Sequence, residues 1–286
     1  MPAILLLHPG EMGAAVAACL RQNGHVVYWV EDARSAATRT RARSAGLDPM
    51  PTLHEAVRHA DVVLSVCPPH AAPEVARDCV QAGFRGIYVD ANAIAPHTAR
   101  MIGQLLEDHG VRFVDGGIIG PPPHQPGTTR LFLAGADAPA IAALFEGARL
   151  ECPVLPSPPG AASAVKMCYA AWTKGATALL TAIRTLALYE GVEGALLEEW
   201  DKSQPGTAHR SEAIMRDARK AWRWVGEMEE IAATFENARL PGGFHHAAAA
   251  LYRQLEGFRH ADAPVSLHDI LEELIRHAGS ARDPQL

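Results

Sequence analysis

Lysine is nearly absent from this 286-residue chain. Of its 26 basic residues, 22 are arginine, and the four lysines (Lys166, Lys174, Lys202, Lys220) all lie beyond position 165. A composition that prefers arginine so heavily implies that a retained lysine is needed as a lysine, a side chain able to surrender a proton. Paired cysteines are missing too. The five cysteines (Cys19, Cys67, Cys79, Cys152, Cys168) are odd in number and contain no C-x-x-C spacing, which excludes a disulfide scaffold and the usual zinc or dithiol sites. They read as buried thiols of a reducing compartment, so the protein is expected to be cytoplasmic. No apolar run approaches the roughly 20 residues that cross a bilayer, and no basic leader precedes the first one. Charge of one sign is not concentrated anywhere: residues 1–159 carry 12 basic and 15 acidic groups, and residues 160–286 carry 14 and 17. That balance disfavours nucleic acid and acidic membranes as partners. G-x-S-x-G, H-E-x-x-H and G-x-x-x-x-G-K-[ST] are all absent, which disfavours the usual hydrolases, zincins and P-loop enzymes, and no metal site is expected.

What is present is an alternation. From Ala3 to about Leu155, short apolar runs alternate with helical stretches of about 10–14 residues, the pattern of a parallel α/β sheet. Strands are predicted at Ala3–Leu7, His25–Val30, Asp61–Val66, Gly86–Asp90, Arg112–Asp115 and Arg130–Ala134, with a short one near Cys152–Leu155. Helices are predicted at Met12–Asn23, His54–His59, Ala72–Ala82, Pro96–His109 and Ala138–Gly147. Strands so uniformly apolar belong to a sheet covered on both faces. Pro156-Ser157-Pro158-Pro159-Gly160 then reads as a linker. It divides a Rossmann dinucleotide-binding domain, residues 1–157, from an all-α substrate and dimerisation domain, residues 158–286. Ala161–Tyr189 reads as one helix without proline. A helix that long is expected to bridge domains or to pack in a homodimer. Shorter helices are predicted at about Ala195–Ser203, His209–Arg219, Trp222–Ala238, Phe244–Glu256 and Ser266–Ala278.

The first strand runs into His8-Pro9-Gly10-Glu11-Met12-Gly13. This is the place for a G-x-G-x-x-G turn, where bare backbone lets a pyrophosphate approach a helix N-terminus. His8 holds the position of the first glycine. Gly10 would face the pyrophosphate, Glu11 and Met12 would open the helix, and Gly13 would permit close helix–strand packing. The bland alternative is a glycine-rich turn that binds nothing. After the second strand come Glu31 and Asp32, suited to the ribose hydroxyls of NAD, and then Arg34-Ser35, suited to the 2′-phosphate of NADP. NADP is the favoured cofactor. Arg39, Arg41 and Arg43 read equally well as a phosphate-facing set or as a solvated helix face.

Taken together, Leu7–Gly13, Asp90-Ala91-Asn92-Ala93-Ile94-Ala95-Pro96, Asp115-Gly116-Gly117-Ile118-Ile119-Gly120 and Gly160–Lys166 resemble the β-hydroxyacid dehydrogenase superfamily, which includes 6-phosphogluconate dehydrogenase and the imine reductases. The likeness extends to a branch named for phosphogluconate dehydrogenase, whose own C-terminal domain has a helix similar to Ala221–Ile231. The resemblance implies that Cys67-Pro68-Pro69 lies along the cofactor and that Asn92 stands where the family often has serine. It implies a substrate loop at Asp115–Gly120, with Gly116, Gly117, Ile118 and Ile119 near the substrate and Ile119 in place of a serine. Lys166 falls at the position of the catalytic lysine, six residues after Gly160. Tyr169 and Ala170 replace the usual asparagine partners, and Tyr169 is expected near the substrate.

The residue types suit that chemistry. Hydride transfer between a C–H and a nicotinamide leaves the substrate heteroatom needing a proton transfer, which a desolvated lysine can supply and an arginine cannot. A lysine snorkelling along a long helix is the structural alternative for Lys166. Trp222 and Trp224 read as core more readily than as pocket, with Trp224 the candidate for the substrate side, and His245-His246 reads as surface. The expected function is an NADP-dependent dehydrogenase acting on a small hydroxy acid or related carbonyl compound. Its alternatives are an imine or ketimine reductase of the same fold and a catalytically silent NADP-binding sensor.

Overall fold

The computed structural model describes residues 1–261 and 264–280, so residues 262–263 and 281–286 of the expected helical domain lie outside the described residues. The chain separates into two compact units, the first ending at Cys168 and the second starting at Tyr169. The division falls inside the long helix rather than at the proline-rich segment. The first two turns of that helix pack with the sheet, as Gly117 and Ala162 illustrate below.

The first unit contains β1 (Ile4–Leu7), α1 (Glu11–Gln22), β2 (Val27–Val30), α2 (Ala36–Ser44), β3 (Asp48–Met50), α3 (Leu53–His59), β4 (Val62–Ser65), α4 (Ala72–Gln81), β5 (Ile87–Asp90), α5 (Pro96–Asp108), β6 (Arg112–Ile119), β7 (Thr129–Ala134), α6 (Ala138–Ala143), β8 (Leu150–Glu151) and β9 (Val154–Leu155). The sheet order is β3-β2-β1-β4-β5-β6-β7-β8, with β9 also beside β7. Ile4 and Leu6 of β1 enter one core with Val16, Leu20 and Trp29. Leu5 and Leu7 enter a second with Val63, Tyr88 and Ile102. An uninterrupted apolar strand is what burial on both faces requires. From β1 the order runs outward in both directions, which opens a crevice at the carboxyl ends of β1 and β4.

Four expectations are corrected. β6 does not stop at Asp115: it runs to Ile119, and Asp115 through Ile119 pair antiparallel with β7. The expected substrate loop is therefore strand as far as Ile119; β3 through β6 run parallel, β7 runs antiparallel to β6, and β8 and β9 run parallel to β7. β3 was not expected, because Pro49 sits at its centre. The predicted Ala138–Gly147 helix ends at Ala143. In the second unit the predicted His209–Arg219 helix is broken into α9 (Thr207–Ser211) and α10 (Ala213–Asp217), followed by a 3-10 turn at Ala218–Arg223. The break falls where the buried Ser211 hydroxyl donates to the Ala208 carbonyl at 2.6 Å and accepts from Arg184 at 2.7 Å.

α7 (Ala161–Tyr189) carries the chain from the first unit into the second, which continues with α8 (Glu193–Ser203), α9, α10, α11 (Trp224–Asn237), α12 (Gly243–Gln254) and α13 (Leu267–Ser280). Along α7, Thr173, Thr177, Thr181 and Thr185 each donate their hydroxyl to the carbonyl four residues earlier, at 2.7–3.1 Å. Arg184, buried, clamps Glu193 at 2.7 Å. No helix among the described residues is long and apolar enough to cross a membrane.

Candidate active site

The turn after β1 is built from an unusual residue. His8 has a φ of 70°, a left-handed conformation rare for a residue with a side chain. Its carbonyl accepts the Gly10 N–H at 2.7 Å. Gly10 then starts α1 with no side-chain cap. The two glycines that follow His8 do different things. A Cβ on Gly10 would meet nothing within 4 Å, whereas one on Gly13 would stand 2.8 Å from the His8 carbonyl oxygen. Gly13 closes the packing, and Gly10 leaves open the space in front of the first-turn amides of α1, where the helix dipole favours an anion. Glu11 is exposed in that first turn, and Met12 packs against the core.

The segment between β2 and α2 meets the same turn. Ala33 has a φ of 54° and Arg34 follows it. The Ser35 hydroxyl caps α2 by accepting the Thr38 N–H at 3.2 Å. Arg41 donates through Nε to the Pro9 carbonyl at 3.2 Å and through Nη2 to Thr38 Oγ1 at 3.1 Å. It ties α2 to the glycine-rich turn rather than facing solvent, while Arg39 and Arg43 are exposed and line a cleft of about 240 Å³ with Trp29 and Glu31. Two nitrogens here, His8 Nδ1 and Arg34 Nε, are buried with no hydrogen-bond partner among the described residues. Burial, and then the Arg34 charge, lower the His8 pKa from 6.5 to about 4, against a smaller opposing effect of a hydrogen bond with the Leu7 backbone. An open helix N-terminus beside two unpartnered buried nitrogens, one of them on a guanidinium, suits the phosphates of a dinucleotide, so the residues present fit that cofactor.

At the ends of β4 and β5 a closed network fixes the next loop. Asn92, almost fully buried, accepts the Cys67 N–H through Oδ1 at 2.5 Å. Its Nδ2 donates to Ser65 Oγ at 3.1 Å and to Asp90 Oδ2 at 2.9 Å. The Asn92 side chain therefore works within the protein, holding the Cys67-Pro68 turn against the sheet. The Cys67 thiol is pushed up to about 12 by burial and the Asp90 charge, which keeps it protonated and inert.

The third element is the junction of β6 with α7. Asp115 is fully buried at the end of the parallel part of the sheet. Its Oδ2 accepts the N–H groups of Gly160, Ala162 and Ser163 at 2.7, 2.8 and 3.1 Å, and its Oδ1 accepts the Ser163 hydroxyl at 2.5 Å. The carboxylate fills the N-terminus of α7. Burial raises its pKa, while those four hydrogen bonds oppose the rise. Gly117 allows the helix to lie directly on the strand: a Cβ there would stand 2.5 Å from the Ala162 carbonyl oxygen and 3.1 Å from Lys166 Cβ. A Cβ on Gly116 would strike the Asp90 carbonyl oxygen at 2.8 Å. Both glycines thus make room for the protein's own backbone, Ile118 joins the core, and Ile119 is buried. Lys166, half-buried on the second turn of α7, is thereby held over β6.

Tyr169 and Trp224 belong to the second unit. Tyr169 is exposed. Trp224 packs edge-on against Tyr252, with ring centroids 5.1 Å apart. Lys174 pairs with Glu227 beneath it, so Lys174 is structural and Trp224 belongs to the helical core. The sequence did not show Asp115 as the cap of α7, Arg41 as the tie to Pro9 or His8 as a site residue, although the glycine-pattern position of His8 was a signal. No cluster of His, Cys, Asp or Glu among the described residues could hold a metal ion.

A Rossmann-like α/β unit followed by helices is the fold that this chain shares with solved 3-hydroxyacid dehydrogenases and their structural relatives. Residues 6–146 match the NAD binding domain of 6-phosphogluconate dehydrogenase, and residues 187–255 match a domain of unknown function. A protein named probable 3-hydroxyisobutyrate dehydrogenase from Mycobacterium tuberculosis is 33% identical over 142 residues, 48% of this chain and 47% of that one. The chain thus spans about half the length of the curated dehydrogenases it matches. A solved protein of unknown function, described as structurally similar to 3-hydroxyacid dehydrogenases, is 29% identical with a TM-score of 0.68, covering 90% of this chain and 98% of its own. The 3-hydroxyisobutyrate dehydrogenase of M. tuberculosis, solved with L-serine, shares the fold at 20% identity and a TM-score of 0.71, over 96% of this chain and 99% of its own.

Proposed function

We propose that this chain is an NADP-dependent oxidoreductase that moves a hydride between the nicotinamide and a small hydroxy acid or related carbonyl compound, with Lys166 as proton donor and acceptor. The observation that carries this reading is the placement of Lys166 on a helix start fixed by Asp115 and seated on Gly117. That arrangement holds one amine in a defined place. The nicotinamide, when bound, accepts or returns the hydride. In oxidation Lys166 takes the hydroxyl proton as the C–H bond breaks, and in reduction it returns that proton to the oxygen. The first-turn amides of α1 and the side chain of Arg34 hold the phosphates. The relatives' dehydrogenase names support the reaction class.

The protein works as a homodimer in a reducing compartment. Trp172, Leu179, Leu186 and Tyr189, all more than 49% exposed along α7 and its end, support the first part, and five unpaired cysteines support the second. Light scattering should return twice 30.6 kDa, and a monomer at micromolar concentration overturns the dimer.

Single-turnover hydride transfer under saturating NADPH, with a panel of small carbonyl compounds, tests the reaction. Lys166→Ala should slow it by about 10²–10⁴-fold with cofactor binding intact. Lys166→Arg should recover little, because a guanidinium holds its proton. Near wild-type rates in the arginine variant would remove Lys166 from the proton transfer.

A further inference from the structure

The first position of the glycine pattern normally needs no side chain, yet here it holds an imidazole at a backbone cost. His8 sits at φ 70° and Ala33 at φ 54°, and of the three such non-glycine residues among those described, these two flank one spot, the meeting of the β1–α1 turn with the β2–α2 segment. Strain of about 1–2 kcal/mol at each such residue persists only where the surroundings hold it, typically at ligand clamps. The same spot contains the two unpartnered buried nitrogens, His8 Nδ1 and Arg34 Nε. Buried polar nitrogens without partners are uncommon and call for one.

We propose that His8 and Arg34 together form the site that reads the 2′-phosphate of the cofactor, with the His8 ring as a specificity-determining, proton-taking contact. This rests on the NADP reading above and adds to it a residue and a linkage. Arg34 brings a permanent charge and a planar fork of donors. His8 brings a ring nitrogen that donates as imidazolium on either side. The other charged groups on the elements meeting here are Glu31 and Asp32 before Arg34, Arg39, Arg41 and Arg43 on α2, and on α1 Glu11 in the first turn and Arg21, paired with Asp48, in the last. Glu31, Asp32, Glu11, Arg39 and Arg43 are exposed, and Arg41 is engaged by the Pro9 carbonyl and Thr38. Without ligand, burial and Arg34 keep His8 neutral down to about pH 4. A phosphate dianion placed between them offsets the Arg34 charge and favours the imidazolium. NADP binding then takes up a proton that NAD binding does not.

Calorimetric titration of the full chain with NADP+ and with NAD+ at pH 6, in two buffers of different ionisation heat, counts that proton and gives both affinities. Wild type should take up more protons with NADP+ than with NAD+ and bind NADP+ more tightly. His8→Gly, which restores the ordinary glycine and relieves the backbone, should lose about tenfold in NADP+ affinity and stay within about twofold for NAD+. Its proton balance should show no uptake, only the fractional release expected as the bound 2′-phosphate ionises beside Arg34. His8→Asn, which tolerates the left-handed backbone and keeps a donor, should retain part of the preference without the extra proton. If both affinities fall together in His8→Gly, or neither moves, the imidazole is not a phosphate reader. If the preference survives in His8→Gly but disappears in Arg34→Ala, His8 is overturned while the NADP reading stands. Wild type that binds neither dinucleotide overturns both.

Discussion

Two helices begin at the carboxyl edge of the sheet, and they treat their N-termini in opposite ways. α7 starts with a buried carboxylate, Asp115, that collects three backbone amides and a hydroxyl. α1 starts at Gly10 with no side-chain cap and open space where a side chain would stand. Every helix start presents the same orphan amides and the same positive end of a dipole. Where the anion is internal, the helix is fixed and can carry a positioned side chain, here Lys166. Where the anion is left out, the amides wait for a ligand.

The comparison breaks most severely at Asp115. Asp115→Ala leaves buried donors without acceptors and should cost more than about 3 kcal/mol of unfolding free energy, measured by chemical denaturation. The open end carries its own pH signature. Because His8 has a folded pKa of about 4, below its ordinary 6.5, its contribution to stability is complete above pH 6.5 and is lost as pH falls toward 4. Wild type should therefore lose up to about 3 kcal/mol more than His8→Gly between pH 7 and pH 4, read as the difference in denaturation curves. Gly13→Ala drives a methyl to 2.8 Å from the His8 carbonyl oxygen. It should cost about 1–3 kcal/mol and weaken dinucleotide binding by displacing the turn. The smallest effect on stability converts one helix start into the other. Gly10→Asp gives α1 an internal anion, so it should stabilise the protein by about 0.5–1 kcal/mol and weaken dinucleotide binding at least tenfold in a fluorescence titration. Undiminished affinity in that variant would show that the phosphates do not use the α1 amides.

The sequence made the larger divisions readable because hydrophobic period and proline placement are local signals. The apolar runs of β1, β4 and β5 and the proline-free stretch of α7 stand within a residue or two of their predicted bounds. β3 escaped because Asp48-Pro49-Met50 is short and carries a residue that strands rarely hold. The direction of β7 escaped because a strand's own residues do not encode it. The connection does: residues 120–128 are too few for the crossover that a parallel neighbour would need. At the candidate site, the glycine pattern and Lys166 were legible as motifs. The cap from Asp115 was not, since its partners lie 45–48 residues away and only the folded β6 brings them together. The consequence of His8 at a glycine position also needed its backbone angle and its unpartnered Nδ1 to be seen.

The threonines of α7 have a further consequence. Thr173, Thr177, Thr181 and Thr185 stand one turn apart, and each hydroxyl proton is already committed to the carbonyl of the preceding turn. A hydroxyl folded back in this way leaves the γ-methyl as the group that meets neighbours, so the stripe behaves toward its surroundings much as four valines would. Hydropathy scales that score threonine as polar therefore understate how oily this helix is.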